Sequence, residues 1–323
     1  MTSPHVYSLP MRSRFRGVSV REGMLWRGAA GWGEFCPFWD YDAVESLPWL
    51  RAAVEAAEHG WPPPVRDQVP VNCTVPAVDP AGAHAIASGP HRCRTAKVKV
   101  AEPGQTLADD VARVEAVHDA LGPYGRVRVD ANGGWDVETA ITALRWLDRA
   151  AGGLEYAEQP CATVEELAAV RRRVDIAVAA DESIRRADDP YRVAALEAAD
   201  IAVLKVAPLG GVAACLEIAD RIGLPVVVSS ALESSVGLAA GVALAAALPE
   251  LPYACGLGTA SMFTRDVTAS PLLAAEGVLR VGAVAPDPEE LAAAAADPAT
   301  AQRWADRLAA VGELAALGQD RAP

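Results

Sequence analysis

From about Val69 onward the chain alternates short apolar runs with Ala-, Leu- and Glu-rich stretches of helical spacing, at a repeat of roughly 25 to 30 residues. That rhythm marks βα units, in which each strand is followed by a helix before the next parallel strand. Eight runs read as strands: residues 71–75, 96–100, 127–129, 154–157, 176–180, 201–206, 225–228 and a weaker one near 253–255. Eight such units close a barrel, so the pattern predicts an α/β fold of the TIM (β/α) type. Helical stretches at 106–121, 137–150, 164–173, 191–198, 212–222 and 236–248 fill most gaps, and the link 79–88 is the least regular.

Ahead of the repeat, residues from about Val6 to Trp39 alternate apolar and polar positions between tight turns, which predicts a small antiparallel meander. Residues 40–59 then carry apolar side chains at helical spacing and stop at Gly60 and the run Trp61-Pro-Pro-Pro. After about Ala274 the chain is Pro- and Ala-rich and then helical over 301–317. The expected division is an α+β capping domain at 1–68, a barrel at 69–274, and a C-terminal segment at 275–323 that packs on the capping domain.

A hydrophobic content of 51% is ample for a large core, and 323 residues suit a barrel with an extra module. Met1-Thr-Ser-Pro-His-Val lacks the basic and apolar regions of a signal peptide, and no apolar run is long enough to span a bilayer. The expectation is a soluble cytoplasmic protein with no membrane partner. A formal charge of −13 repels phosphate backbones and argues against nucleic acid. Cys36, Cys73, Cys93, Cys161, Cys215 and Cys255 form no Cys-x-x-Cys pair and read as reduced, packed thiols. The five histidines lie away from the acidic motifs and read as solvated or structural.

The chemistry is written at the ends of the apolar runs. Lys97 and Lys99 sit two apart on the second strand, so both side chains point one way. Burial and a like-charged neighbour disfavour the protonated form, so the pair is expected to lower the pKa of at least one lysine and make it a usable base. Asp130 and Asn132 follow the third strand, Glu158 the fourth, Asp181 and Glu182 the fifth, and Lys205 the sixth. Taken singly, Asp130 could cap a turn, Glu158 could pair with an arginine, and Asp181 could cap the next helix. Three acids at matching places on adjacent strands, flanked by lysines on the second and sixth, point instead to one shared site.

Buried carboxylates together are costly unless a cation neutralises them. Oxygen donors with no Cys or His beside them select a hard cation, Mg²⁺ first and Mn²⁺ second. Strand C-termini face the active site of a barrel, so lysines on the second and sixth strands stand across its mouth. That arrangement suits proton abstraction beside a small-molecule carboxylate whose charge a metal holds.

The order Lys-x-Lys, Asp-x-Asn, Glu158-Gln-Pro, Asp181-Glu-Ser and Lys205 before Gly210-Gly211 resembles the enolase superfamily, in its muconate lactonizing enzyme subgroup. Within that subgroup the chain resembles the o-succinylbenzoate synthases of the short, actinobacterial-like kind. The segments that carry this are Leu9-Pro-Met-Arg-Ser-Arg-Phe-Arg-Gly17, Gly31-Trp-Gly-Glu-Phe-Cys-Pro-Phe38, Asn72-Cys-Thr-Val-Pro-Ala77 and Gly256-Leu-Gly-Thr259. The resemblance implies a modified barrel with a capping domain and a metal-dependent dehydration in menaquinone biosynthesis. It implies Asp130, Glu158 and Asp181 as metal ligands and Lys99 as the base. Lys97 would tune that base, and Lys205 would stabilise charge from the opposite side. Asn132 would support metal or substrate oxygens, Glu182 would pair with a lysine, and Ser229, Ser230 and Gly256 would receive the succinyl tail. No organic cofactor is implied, and the oligomeric state is open between a monomer and a small homo-oligomer.

Two departures bear on the distal part of the substrate. Segment 8–17 is short where relatives carry a long lid loop, and Gly258 stands where many have Asp. The rival activities are an N-succinylamino acid racemase or a dipeptide epimerase using the same two lysines, and a barrel that binds a carboxylate without turning it over.

Overall fold

Strands β1 (His5–Phe15), β2 (Val18–Arg27) and β3 (Trp32–Phe35) form an antiparallel sheet, joined in order by tight turns. Seen in a computed structural model, residues 3–186 and 189–319 are described; the remainder of the two expected end segments, and Ala187 and Asp188, lie outside them. Alternate residues of the sheet, among them Tyr7, Leu9, Met24, Trp26 and Phe35, bury one face in a core of their own. The helix expected over 40–59 starts only at Leu47, running as Leu47–Val54 and then one wider π turn, Glu55–His59. Pro48 explains the late start: it has no N–H and its ring would strike the carbonyl of Val44 in a continuous helix, whereas a first-turn position tolerates it. Helix Pro298–Gln319 returns to this sheet. Its Trp304 is fully buried, edge-on to Phe35 at 5.9 Å, and Arg307 donates to the carbonyls of Phe38 (2.8 Å) and Tyr41 (2.7 Å).

A short strand β4 (Gln68–Pro70) leads into β5 (Cys73–Val75), β6 (Thr95–Lys99), β7 (Arg126–Asp130), β8 (Leu154–Glu158), β9 (Val178–Ala180), β10 (Ile201–Leu204) and β11 (Val226–Val228). The last seven form one parallel sheet in sequence order. The expected eighth strand is reduced to a single stave: Cys255 bridges to Val71 and Gly256 to Ser229. Cys255 and Gly256 hydrogen-bond both edges, with Asn72 N–H to Cys255 O (2.9 Å), Cys255 N–H to Pro70 O (2.7 Å) and Gly256 N–H to Val228 O (2.8 Å), and so close the barrel. Pro252, Gly256 and Gly258 crowd this stretch, and neither residue type sustains a longer ladder. A final strand, β12 (Val278–Arg280), pairs antiparallel with β4, which the sequence pattern did not announce.

The helices between strands begin where side chains satisfy their free amides. Thr106 with Asp109 and Thr163 with Glu166 make reciprocal capping boxes, and Asp136 and Ser234 cap two more. The link 79–88 is a regular helix after all, Pro80–Ala87: Asp79 accepts from Gly82 N–H at 2.7 Å, and Pro80 occupies the first position. Among the described residues no helix is long and apolar enough to cross a membrane. All six cysteines are free and buried.

Period-2 alternation sorts each barrel strand into an inner and an outer row. Ala202 and Leu204 pack outward beneath the helices, while Ile201 and Val203 join Tyr156, Ala179 and Val227 inside the barrel. The fully buried Arg128 joins that interior, its guanidinium 4.6 Å from the Tyr156 ring and donating to Ala254 O at 2.6 Å. Two residues further along, each inner row turns polar, to Asp130, Glu158, Asp181, Lys205 and Ser229. The apolar interior thus ends, strand by strand, at a charged mouth.

Candidate active site

Side chains from β6 to β11 converge at that mouth. Lys97, Lys99 and Lys205 are each less than a tenth exposed, and Asp130, Glu158 and Asp181 are at most 1% exposed. Lys97 Nζ lies 2.6 Å from Glu158 Oε1 and 3.1 Å from Asp130 Oδ2. Lys99 Nζ lies 2.5 Å from the same Asp130 oxygen and donates to Asn132 Oδ1. Lys205 Nζ lies 2.6 Å from Asp181 Oδ2, whose other oxygen takes Arg185 Nε at 3.0 Å. Parallel pairing explains the pattern: Lys99 stands in register with Asp130, and Asp130 with Glu158.

The electrostatics follow from these contacts. Burial opposes the charge of Asp130, yet Lys99 and Lys97 hold its carboxyl far below the usual range. Asp181 is held down against burial by Arg185 and Lys205. Glu158 goes the other way: burial and the neighbouring Asp130 push it up to about 7. Burial lowers Lys205, with Arg185 adding to it. Lys97 corrects an expectation. Burial does oppose its charge, but Glu158 and Asp130 outweigh burial and raise it well above the ordinary lysine value. The lysine pair was expected to lower one of its members; two carboxylates on Lys97 act against that here.

One cavity brings these groups to solvent. Its wall includes Lys97, Lys99, Asp130, Asn132, Lys205, Ser229, Ser230 and Gly256. Glu158 and Asp181 do not reach that wall and meet it through Lys97 and Lys205. Glu182 forms its close ion pair with Arg185 rather than with a lysine and accepts from Asn132 Nδ2 at 3.2 Å, while its charge still acts on Lys205, opposing the lowering. Asp130 also accepts from the Asn132 N–H at 3.1 Å, so it caps its turn and serves the site together. Gly256 allows a close approach, because a Cβ there would meet Ser229 Oγ at 2.4 Å.

Several wall residues escape a reading of the sequence. Phe15, Arg16, Phe38, Tyr41 and Trp49 come from the capping domain; the first three lie in the segments 9–17 and 31–38 that carry the family resemblance, but no residue pattern assigns any of the five to the wall. Phe15 places its ring 5.1 Å from Lys99 Nζ, and Arg16 lies over Phe38 at 3.8 Å. Arg185 was legible in principle, since it follows Asp181 at helical i,i+4 spacing.

The donor set at the mouth fits a hard divalent cation by its chemistry: three buried carboxylates, no sulfur or imidazole, and a crowding of negative charge that leaves Glu158 protonable near neutrality. Among the described residues no three acid, His or Cys side chains form a ready cluster, because each carboxylate rests on an ammonium or guanidinium partner.

Comparison with known proteins bears on the same regions. Residues 6–57 match a family model described as enolase N-terminal domain-like, and residues 81–287 one described as enolase C-terminal domain-like. The chain is 63% identical over 304 residues to the o-succinylbenzoate synthase of Thermobifida fusca, covering 94% of each chain. It is 58% identical to that of Mycolicibacterium smegmatis, over 95% of this chain and 94% of the relative. Among solved structures, the muconate lactonizing enzyme from Pseudomonas fluorescens in complex with muconolactone superposes with a TM-score of 0.77 at 22% identity, covering 91% of this chain and 98% of that one. At that identity the likeness concerns the fold, a capping domain on a barrel.

Proposed function

Because this chain belongs to the enolase superfamily and, within it, to the o-succinylbenzoate synthases, we propose that it dehydrates 2-succinyl-6-hydroxy-2,4-cyclohexadiene-1-carboxylate to o-succinylbenzoate. It is a carbon–oxygen lyase, acting in the cytoplasm on a small carboxylate in menaquinone biosynthesis. The observation that carries the assignment of roles is the placing of Lys99 and Lys205 on one cavity from separate strands, each anchored by a buried aspartate.

Asp130, Glu158 and Asp181 would hold the metal, Mg²⁺ first and Mn²⁺ second. A divalent cation bound there supplies positive charge to the substrate carboxylate as its α-carbon loses a proton. Lys99 takes that proton, and as an ammonium it returns the proton to the hydroxide leaving the same face. The C–H and C–O bonds break, the ring becomes aromatic, and water leaves. Lys205 keeps its proton and stabilises the enediolate from the far side. Asn132 accepts from Lys99 and aims its lone pair, while Lys97 fixes Asp130 and Glu158. The Phe15 ring beside Lys99 excludes water from the reacting face. Ser229, Ser230 and Gly256 receive the succinyl tail, with Glu182 steadying Asn132.

The same two lysines on one cavity also suit racemisation of an N-succinylamino acid, one lysine to each face. Purified enzyme with Mg²⁺ is assayed on the cyclohexadiene beside an N-succinylamino acid in D₂O. Loss of the diene without deuterium entering the amino acid identifies a dedicated synthase. Deuterium entry with no loss of the diene refutes the proposal.

A further inference from the structure

The loop between β11 and the helix Ser235–Ala247 forms one wall of the catalytic cavity through Ser229, Ser230, Ala231 and Leu232. The barrel does not hold this loop alone. Arg21 on β2 is 3% exposed and reaches across from the capping domain, with Nε donating to Leu232 O at 3.1 Å and Nη2 to Ala231 O at 3.3 Å. Its other hydrogen bonds also go to backbone carbonyls, Glu22 O at 3.1 Å and Cys36 O, and its guanidinium lies over the Phe38 ring, 4.0 Å from the centroid. Leu232 stands at φ +62°, a conformation an L-residue rarely adopts, so the backbone there is strained and needs external support.

The far end of the loop is held by a charge of opposite sign. Glu34 on β3 accepts the N–H groups of Ser234 and Gly237 at 2.9 Å each, the Ser234 hydroxyl, and Tyr7 OH at 2.6 Å. It rests on the N-terminus of the 13-residue helix, where unpaired amides and the helix dipole favour a carboxylate. Gly237 is required for this approach, since a Cβ would fall 2.7 Å from Glu34 Oε2.

We propose that Arg21 and Glu34 are positioning residues for substrate recognition: a buried cation and a buried anion from the capping domain grip the two ends of loop 229–234 and fix the wall that receives the substrate's distal chain. A guanidinium is required because only its fork of donors spans several carbonyls at once; an ammonium on a shorter reach cannot. The inference rests on the o-succinylbenzoate synthase reading for the identity of the distal chain.

The test uses the full chain with Mg²⁺, the variants Arg21→Lys and Glu34→Gln, and two probes, 2-succinylbenzoate and benzoate. The expected result is that 2-succinylbenzoate binding and KM for the diene each weaken about tenfold, the scale of one or two lost buried hydrogen bonds, with benzoate affinity and kcat little changed. Glu34→Gln keeps the shape and an acceptor oxygen and carries the same test should Arg21→Lys not fold. Folded variants that bind both probes like the parent, or lose both equally, overturn the proposal. Amide exchange over 229–237 separates the two claims: if the parent does not dehydrate the diene, the activity reading fails, yet faster exchange in the variants still supports the grip and unchanged exchange refutes it.

Discussion

Replacing Lys99 by arginine separates charge from basicity at the reacting carbon. Lys99 Nζ lies 2.5 Å from Asp130 Oδ2 and is buried, so a guanidinium can keep the ion pair. Asp130 is further secured by Lys97 at 3.1 Å, so neither Lys99→Arg nor Lys99→Ala leaves it without a cation. The stability loss should therefore stay below the roughly 3–5 kcal/mol that follows when a buried charge is stranded. Activity should respond very differently. Arginine cannot be deprotonated at working pH, so Lys99→Arg loses the base, and turnover should fall by about 10²–10⁴. At Lys205 the charge is what matters: Lys205→Arg should retain far more activity than Lys205→Ala, which should lose about 10²–10³ for a missing electrostatic stabiliser. The assay follows loss of diene absorbance under saturating Mg²⁺, with urea unfolding run alongside. A Lys99→Arg enzyme within about tenfold of the parent, a gap of only about 1.4 kcal/mol in barrier, would refute the assignment of the base.

Three further outcomes follow. Removing divalent cations with a chelator should abolish turnover, and Mg²⁺ should restore it; activity that survives exhaustive chelation counts against Asp130, Glu158 and Asp181 as ligands. Burial, with Glu34 nearby, pushes the Glu233 carboxyl up to about 7, so the folded state holds that proton to higher pH than the unfolded chain does. Its contribution is fully present below the unfolded value near 4.5 and is lost as pH rises through 7, so this group should lower stability between about pH 4.5 and 7 by up to about 3 kcal/mol, and Glu233→Gln should reduce the slope in chemical unfolding, Glu158 supplying the remainder. Gly256→Ala would put a methyl group 2.4 Å from Ser229 Oγ, and should both lower the melting temperature and raise KM, as calorimetry and steady-state kinetics would record.

Much of this protein is legible because its signals are local and periodic. Alternating strands and helices depend on a period-2 or period-3.6 pattern within one segment, so seven of the eight expected barrel strands stand close to where the apolar runs lie. The charged residues were conspicuous because each interrupts such a run just before a turn. The helix Pro80–Ala87 is also written locally, in Asp79 and Pro80, but its stretch has little apolar periodicity and so reads as the least regular link.

Residue order alone could not say how segments far apart would meet. The eighth stave exists only through hydrogen bonds from Cys255 and Gly256 to strands at both ends of the barrel, 184 and 27 positions away respectively in the pairs Val71 with Cys255 and Ser229 with Gly256. Phe15 reached Lys99, and Arg21 and Glu34 reached loop 229–234, because the capping domain folds back over the mouth. The direction of the Lys97 shift was decided the same way. In the chain its nearest charged neighbour is Lys99, which argues for a lowered pKa. In the fold it rests on Glu158 and Asp130, which raise it, because electrostatic energy depends on distance through space rather than along the backbone.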